Sequence, residues 1–227
     1  MKKKGICALA VCLAISLAIP ANVYAAKKND TATKKETVKT VTISAAGDCT
    51  LGVDSRYNNK FNEYYKSHDN KYFLKNVKSV FENDDITIVN FEGTLTTSNN
   101  RAQKTFTFKG PAKYTGILKA GSVEVVNLAN NHTMDFGEQG FKDTKSALKK
   151  AGIAYSYGTN IAYKTVDGVK VAFLGFNEIG VLTKKDVKTA IDKAKKADAD
   201  VIITSFHWGI ERDYYPNDTQ KKLAHYA

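Results

Sequence analysis

The chemistry-bearing residues of this chain recur in one setting: a short apolar run followed at once by amide, imidazole or carboxylate groups. The clearest case is residues 123–128, apolar apart from Glu124 and Asn127, which lead into Asn130-Asn131-His132 and then Asp135 and Gly137. His132 offers a ligand nitrogen, and the two asparagines offer amide oxygens. Asp135, three residues on, is placed to accept a hydrogen bond from the second ring nitrogen and so fix the tautomer. Asn-Asn also tolerates the left-handed backbone that a sharp strand-to-helix turn needs. Three further runs end alike. Residues 38–45 precede Gly47-Asp48-Cys49-Thr50-Leu51-Gly52, residues 86–91 carry Asn90 into Glu92-Gly93-Thr94, and residues 200–206 precede His207-Trp208-Gly209 and Glu211.

Taken singly, each group has a structural use: Asp48 as a turn former or helix cap, Asn-Asn-His as a polar turn, His207-Trp208 as a cap on the sheet. Repetition at four strand ends is what marks them. Carboxylates, an amide and imidazoles converging on one sheet edge suit a divalent metal, with zinc, manganese and iron all compatible. A second ion about 3.5–4 Å away would permit two-metal hydrolysis. An imidazole exposed at a strand end should be replaceable at little cost in stability. Cys49 reads as a small buried hydrophobe, with no second cysteine to pair with beyond the N-terminal segment.

The elements that must position these groups alternate between strand and helix. Apolar runs predict strands over 38–45, 86–91, 123–128, 154–157 and 200–206, and an alternating strand over 105–108 before a Lys109-Gly110-Pro111 turn. Helical spacing predicts helices over 61–81, 112–120, 141–151 (stopped by Gly152) and 184–197, and the start of one over 220–227. Asp167-Gly168 between residues 161–165 and 170–174 is the strongest short hairpin signal. The pattern predicts an α/β layered domain over 38–227, with part of its sheet antiparallel. The carboxyl ends of its strands would line a crevice.

The N-terminus reads as an export signal. Lys2, Lys3 and Lys4 precede an apolar run over 6–19 and then Val23-Tyr24-Ala25, which predicts a signal peptide over 1–25 with cleavage ahead of Ala26. Either cleavage or retention of this segment as an anchor is consistent with that pattern. Residues 26–37 are polar and charged, and read as a disordered linker. Cleavage would take the formal charge from +11 to +8 by removing those three lysines. A basic exported protein favours anionic neighbours, such as wall polymers, anionic lipid heads or an acidic polymer, although a lysine-rich surface also serves solubility. Scattered lysines without a base-stacking motif argue against nucleic acid.

In sequence order, Gly47-Asp48 with Leu51-Gly52, Asn90-Phe91-Glu92, Asn130-Asn131-His132 with Asp135 and Gly137, and His207-Trp208-Gly209 with Glu211 resemble the successive motifs of the CapA-type poly-γ-glutamate capsule synthesis family. The resemblance implies a calcineurin-like metallophosphoesterase fold, a β-sandwich flanked by helices. It implies Asp48, Glu92, Asn131, His132 and His207 as metal ligands. From the residues themselves, His132 and Asp135 are the expected catalytic groups, and Asn90, Asn130, Trp208 and Glu211 the expected substrate contacts. Arg101 and Lys104, in the basic loop 99–109, are expected to join them. The implied partners are an anionic polymer such as poly-γ-glutamate and membrane capsule-synthase subunits. The implied role is either metal-dependent hydrolysis of a phosphoester or γ-glutamyl amide, or polymer handling without cleavage. Glu92 stands where ordinary phosphoesterases carry a bridging aspartate. The family pattern continues beyond the position of Ala227 with a Gly-His-x-Pro-His segment, so the fold is expected to be incomplete at the C-terminus.

Overall fold

A computed structural model describes residues 38–57, 60–178 and 182–227. The expected signal peptide over 1–25 and linker over 26–37 lie outside the described residues. In chain order the elements are β1 (Ile43–Cys49), α1 (Lys60–Ser67), α2 (Lys78–Phe81), β2 (Ile86–Phe91), β3 (Thr94–Leu95), β4 (Lys109–Gly110), α3 (Thr115–Ala120), β5 (Val125–Asn127), α4 (Gly137–Ala151), β6 (Ala154–Ser156), β7 (Ala162–Val166), β8 (Val169–Asn177), α5 (Lys184–Lys196), β9 (Val201–His207) and α6 (Asp218–Tyr226). Strands β1-β2-β5-β6 form one parallel sheet. Strands β7-β8-β9 form a second, antiparallel across the β7/β8 hairpin and parallel across β8/β9. Asp167 and Gly168 both take positive φ in that hairpin, 49° and 78°, as the primed turn that suits strand twist requires.

Three apolar layers hold these elements together. Ile86, Ile88, Val125, Val171 and Phe173 meet between the sheets. Val89, Phe91 and Val126 face outward against Leu118 of α3 and Leu148 of α4. Leu174 and Phe176 face the other way against Val187 and Ala190 of α5 and Leu223 of α6. The result is a two-sheet sandwich flanked by helices, as the motif resemblance implied.

The period-2 alternation of strands decides where the chemistry goes. The face of β2 that puts Ile86 and Ile88 between the sheets continues to Asn90, and that of β5 runs from Val125 to Asn127. On the second sheet Val171 and Phe173 continue to Gly175 and Asn177, and Val201 and Ile203 to Ser205 and His207. The inter-sheet layer is therefore apolar in the middle and polar at the carboxyl ends. Gly175 marks the change, since a Cβ there would lie 2.0 Å from Oδ1 of Asn127 and 2.9 Å from Oγ of Ser156.

Three expected elements differ in the structure. The first strand runs over Ile43–Cys49 rather than 38–45, with a pairing irregularity between Ala46 and Asp48 against β2. Ala45, Ala46 and Gly47 carry no apolar alternation to read, yet the backbone ladder continues through them and places Asp48 opposite Asn90. The expected helix over 61–81 is two helices, α1 and α2. Asp69 breaks it by accepting the Lys71 amide on its side chain at 2.9 Å and the Tyr72 amide on its carbonyl at 3.2 Å. Residues 105–108 form no strand, because the amides of Thr107 and Phe108 are bound by the carboxylates of Asp54 (2.9 Å) and Asp135 (2.6 Å). The short strand β4 instead covers Lys109–Gly110, where a turn was expected.

Candidate functional site

The hub of the polar strand ends is the side-chain amide of Asn90. Its nitrogen donates to Oδ1 of Asp48 at 2.7 Å and to Nδ1 of His207 at 3.1 Å. Its oxygen accepts from the amides of Asn127 (2.9 Å) and Asn130 (3.1 Å). Two donors and two lone pairs are all used, so Asn90 ties four strand ends together and has nothing left for a substrate. Asn130 is likewise a brace. It is buried, its amide nitrogen also donates to the Phe91 carbonyl at 2.8 Å, and its oxygen accepts the His132 amide at 3.0 Å. That last bond shapes the turn carrying His132.

His132 is 7 % exposed and packs on the Phe108 ring with centroids 4.4 Å apart, so the expectation of an exposed imidazole does not hold. Its Nδ1 lies 2.8 Å from Oδ2 of Asp135, a fully buried carboxylate, which assigns the proton to Nδ1. Nε2 is left facing Oε1 of Glu92 at 3.5 Å. Asp135 also holds Nζ of Lys104 at 2.7 Å.

Asp48, Glu92, Asn131 and His207 line one cleft of about 490 Å³ together with Trp208 and Glu211. His207 lies with Nε2 2.9 Å from Oδ1 of Asn131 and Nδ1 3.6 Å from Oδ1 of Asp48. Because Asn90 donates to Nδ1, the ring proton sits on Nε2. Burial raises the Glu92 carboxyl above its ordinary range and the Asp48 charge adds to this, while His132, His207 and the Thr50 hydroxyl pull it back. Trp208 stacks on Phe206 at 4.2 Å, which fixes the indole as a wall. Asn177 and Glu178 also line the cleft. Glu178 accepts the Gly209 amide at 2.9 Å. Their signal was present in the sequence, since the apolar run 171–176 ends on them as the other runs end on theirs.

Two expected substrate residues are turned elsewhere. Arg101 points into the protein, donating to Asp54 at 3.1 Å and to the Lys104 carbonyl at 2.8 Å. Lys104 is spent on Asp135 and on the Asn131 carbonyl at 2.8 Å. Cys49 is half-buried against the helix-side core, and burial pushes its thiol up to about 12, so it is no nucleophile.

The donor set can be tested against a divalent ion. Two nitrogen or oxygen ligands on one tetrahedral ion, each about 2.0–2.2 Å from it, lie about 3.4 Å apart. The His132–Glu92 pair, at 3.5 Å, is too long for a good hydrogen bond and matches that spacing. The His207–Asp48 pair is 3.6 Å apart, but the Asn90 amide nitrogen donates to both of its atoms, so an ion there would have to displace that amide. Among the described residues no three His, Cys, Asp or Glu side chains are arranged to hold an ion, so the charged donors fit in pairs, with the Asn131 amide beside the second pair.

Residues 42–227 match the family described as bacterial capsule synthesis protein PGA_cap. This chain belongs to that family. Its sandwich is accordingly the family's metallophosphoesterase-like fold. The PGA biosynthesis protein CapA of Bacillus subtilis (strain 168) is 34% identical over 205 residues, 80% of this chain and 52% of that protein. The capsule biosynthesis protein CapA of Bacillus anthracis is 29% identical over 212 residues, 81% of this chain and 50% of that protein. A probable polyglutamine synthesis accessory protein of Mycobacterium tuberculosis (strain ATCC 25618 / H37Rv) is 38% identical over 78 residues, 33% of this chain and 20% of that protein. The chain spans about half the length of the two CapA proteins it matches.

Proposed function

We propose that this PGA_cap chain is the metallophosphoesterase-fold part of an exported protein of poly-γ-glutamate synthesis, working as a metal-dependent hydrolase on a phosphoester or a γ-glutamyl amide. The observation that carries this reading is the pairing of a buried imidazole with a carboxylate of the cleft, His132 with Glu92, beside a second imidazole–carboxylate pair, His207 with Asp48. Asp48, Glu92, Asn131, His132 and His207 would hold a divalent ion (zinc, manganese or iron) or two. Such an ion supplies Lewis acidity and a hydroxide at neutral pH. The chain's own work is then positional: Asp135 keeps the proton on Nδ1 of His132, Asn90 sets Asp48 and His207, and Trp208 walls the cleft. The name of the Bacillus subtilis relative, a PGA biosynthesis protein, and a formal charge of +11, or +8 after signal cleavage, support an anionic polymer as the partner.

Metal analysis of purified protein, followed by assay with added manganese or zinc, tests the proposal. At least one equivalent of ion, with hydrolysis that depends on it, is expected. Less than a tenth of an equivalent, with no activation, would sink it. The pairwise donor arrangement favours a second reading, a surface-tethered accessory that holds the polymer without cutting it. Salt-sensitive retention of poly-γ-glutamate with unchanged polymer length over time would select that reading. Export rests on the apolar segment over 6–19. Leu13→Arg with Ile15→Arg should leave the protein in the cytoplasm by fractionation, and the double variant outside the membrane would refute the signal.

A further inference from the structure

Buried Asp54 organises a loop that ends on the site imidazole. Its carboxylate accepts Nε and Nη2 of Arg56 at 3.1 and 3.0 Å, Nη2 of Arg101 at 3.1 Å and the Thr107 amide at 2.9 Å. The Arg101 guanidinium also donates to the carbonyls of Ala102 (3.0 Å), Lys104 (2.8 Å) and Thr105 (3.2 Å). Residues 101–107 are thereby wound around one ion pair, and the Ala102 amide ties them to the Asp135 carbonyl at 2.9 Å. The winding delivers the Lys104 ammonium to Oδ1 of Asp135 (2.7 Å) and the Asn131 carbonyl (2.8 Å), with Nδ1 of His132 at 3.3 Å.

We propose that Asp54, Arg101 and Lys104 form a brace that positions His132, and that neither basic side chain is a substrate contact. A carboxylate as deeply buried as Asp135 needs partners on both oxygens. Lys104 occupies Oδ1, so Oδ2 is kept for Nδ1 of His132 and the Phe108 amide. With Lys104 gone, the carboxylate turns about its terminal torsion and the ring loses its fixed acceptor. Both tautomers then become populated, and Nε2 no longer presents its lone pair toward Glu92. The same ammonium fixes the Asn131 backbone, hence the amide that meets His207 across the cleft. Arg101 acts one step further back, by holding the Lys104 backbone in reach. This inference takes His132 as an imidazole of the working site, the reading given above, but its primary test needs neither metal nor substrate.

The chain has four histidines, so the ring nitrogens of His132 can be assigned in ¹⁵N-histidine-labelled protein by loss of signals in His132→Gln. The wild type should show one protonated and one lone-pair nitrogen on that ring. Lys104→Met should average the two signals and lower manganese affinity about 10-fold, the low end for loss of a residue that orients a ligand. Arg101→Met should do the same more weakly, and Lys104→Arg, which keeps a cation able to reach both oxygens, should restore the wild-type spectrum. Retention of poly-γ-glutamate at fixed salt should be the same for Lys104→Met and wild type. Unchanged ring signals in a folded Lys104→Met, judged by its thermal midpoint, would overturn the brace. So would loss of polymer retention with the ring signals intact. Should Lys104→Met fail to fold, Lys104→Gln gives the same reading. If no metal binds and no hydrolysis occurs, the proposed function fails while the ring-nitrogen result still decides the brace.

Discussion

The two imidazoles of the site are held in opposite ways. His132 sits in a pre-built socket: its side chain is 9 % exposed, an aromatic ring covers it, and a carboxylate with its own cation fixes one nitrogen. His207 stands at the end of strand β9, whose residues are all only half-buried, with its side chain 25 % exposed and both nitrogens on neutral amides. Charge-assisted bonds in a dry setting hold geometry firmly, whereas amide partners at a wetter strand end exchange more easily. One ring is preorganised and the other adaptable, and the difference follows from which sheet carries each.

The sharpest way to break this contrast is to remove the socket's carboxylate. Asp135→Ala leaves the Lys104 charge, the Phe108 amide and Nδ1 of His132 without their shared acceptor, and should cost about 3–5 kcal/mol in denaturant unfolding. A cost under about 1 kcal/mol would show that the socket is not rigid. His132→Ala should follow at about 2–3 kcal/mol, because it opens a void beside Phe108 and strips Asp135 of a partner. That reverses what an exposed strand-end histidine would do.

The brace behind the socket has a pH signature. The Arg56 guanidinium, helped by the Thr107 amide and Arg101, holds the Asp54 carboxyl well below the usual carboxylate range. A depressed carboxyl contributes stability that is present above its unfolded value, about 3.9, and is lost as pH falls through the folded value. Asp54→Asn should therefore cost on the order of 2 kcal/mol at pH 7 and progressively less below about pH 4. A gap between variant and wild type that does not narrow in acid would assign the cost to packing instead.

His207→Ala gives the smallest stability effect, under about 1 kcal/mol, since its ring, 25 % exposed, is held by neutral amides and leaves no buried charge unpaired. It should nevertheless reduce metal stoichiometry as strongly as His132→Ala. Equal losses of midpoint in the two histidine variants would erase the distinction between socket and strand end.

Much of this was legible in the chain. Four apolar runs ending in Asp48, Asn90 with Glu92, Asn131 with His132, and His207 identified the edge on which the chemistry lies, because strand ends share one side of a parallel sheet. The hairpin at Asp167-Gly168 and the helix stop at Gly152, which takes φ +76°, were also written locally, since each depends on backbone freedom at one or two residues. The first strand was misplaced because Ala45-Ala46-Gly47 pair through backbone alone, which leaves no side-chain pattern.

What only the folded chain decided is the division of labour among the polar residues. Lys104 and Arg101 look like exposed basic contacts along the sequence, yet long-range partners, Asp135 and Asp54, draw them inward. Asn90 looks like a cleft donor and is saturated by three strand ends that approach from 37 to 117 residues away. A side chain's local neighbours set its chemistry, but whether that chemistry faces solvent or is consumed in holding the site depends on groups that tertiary packing alone brings within 3 Å.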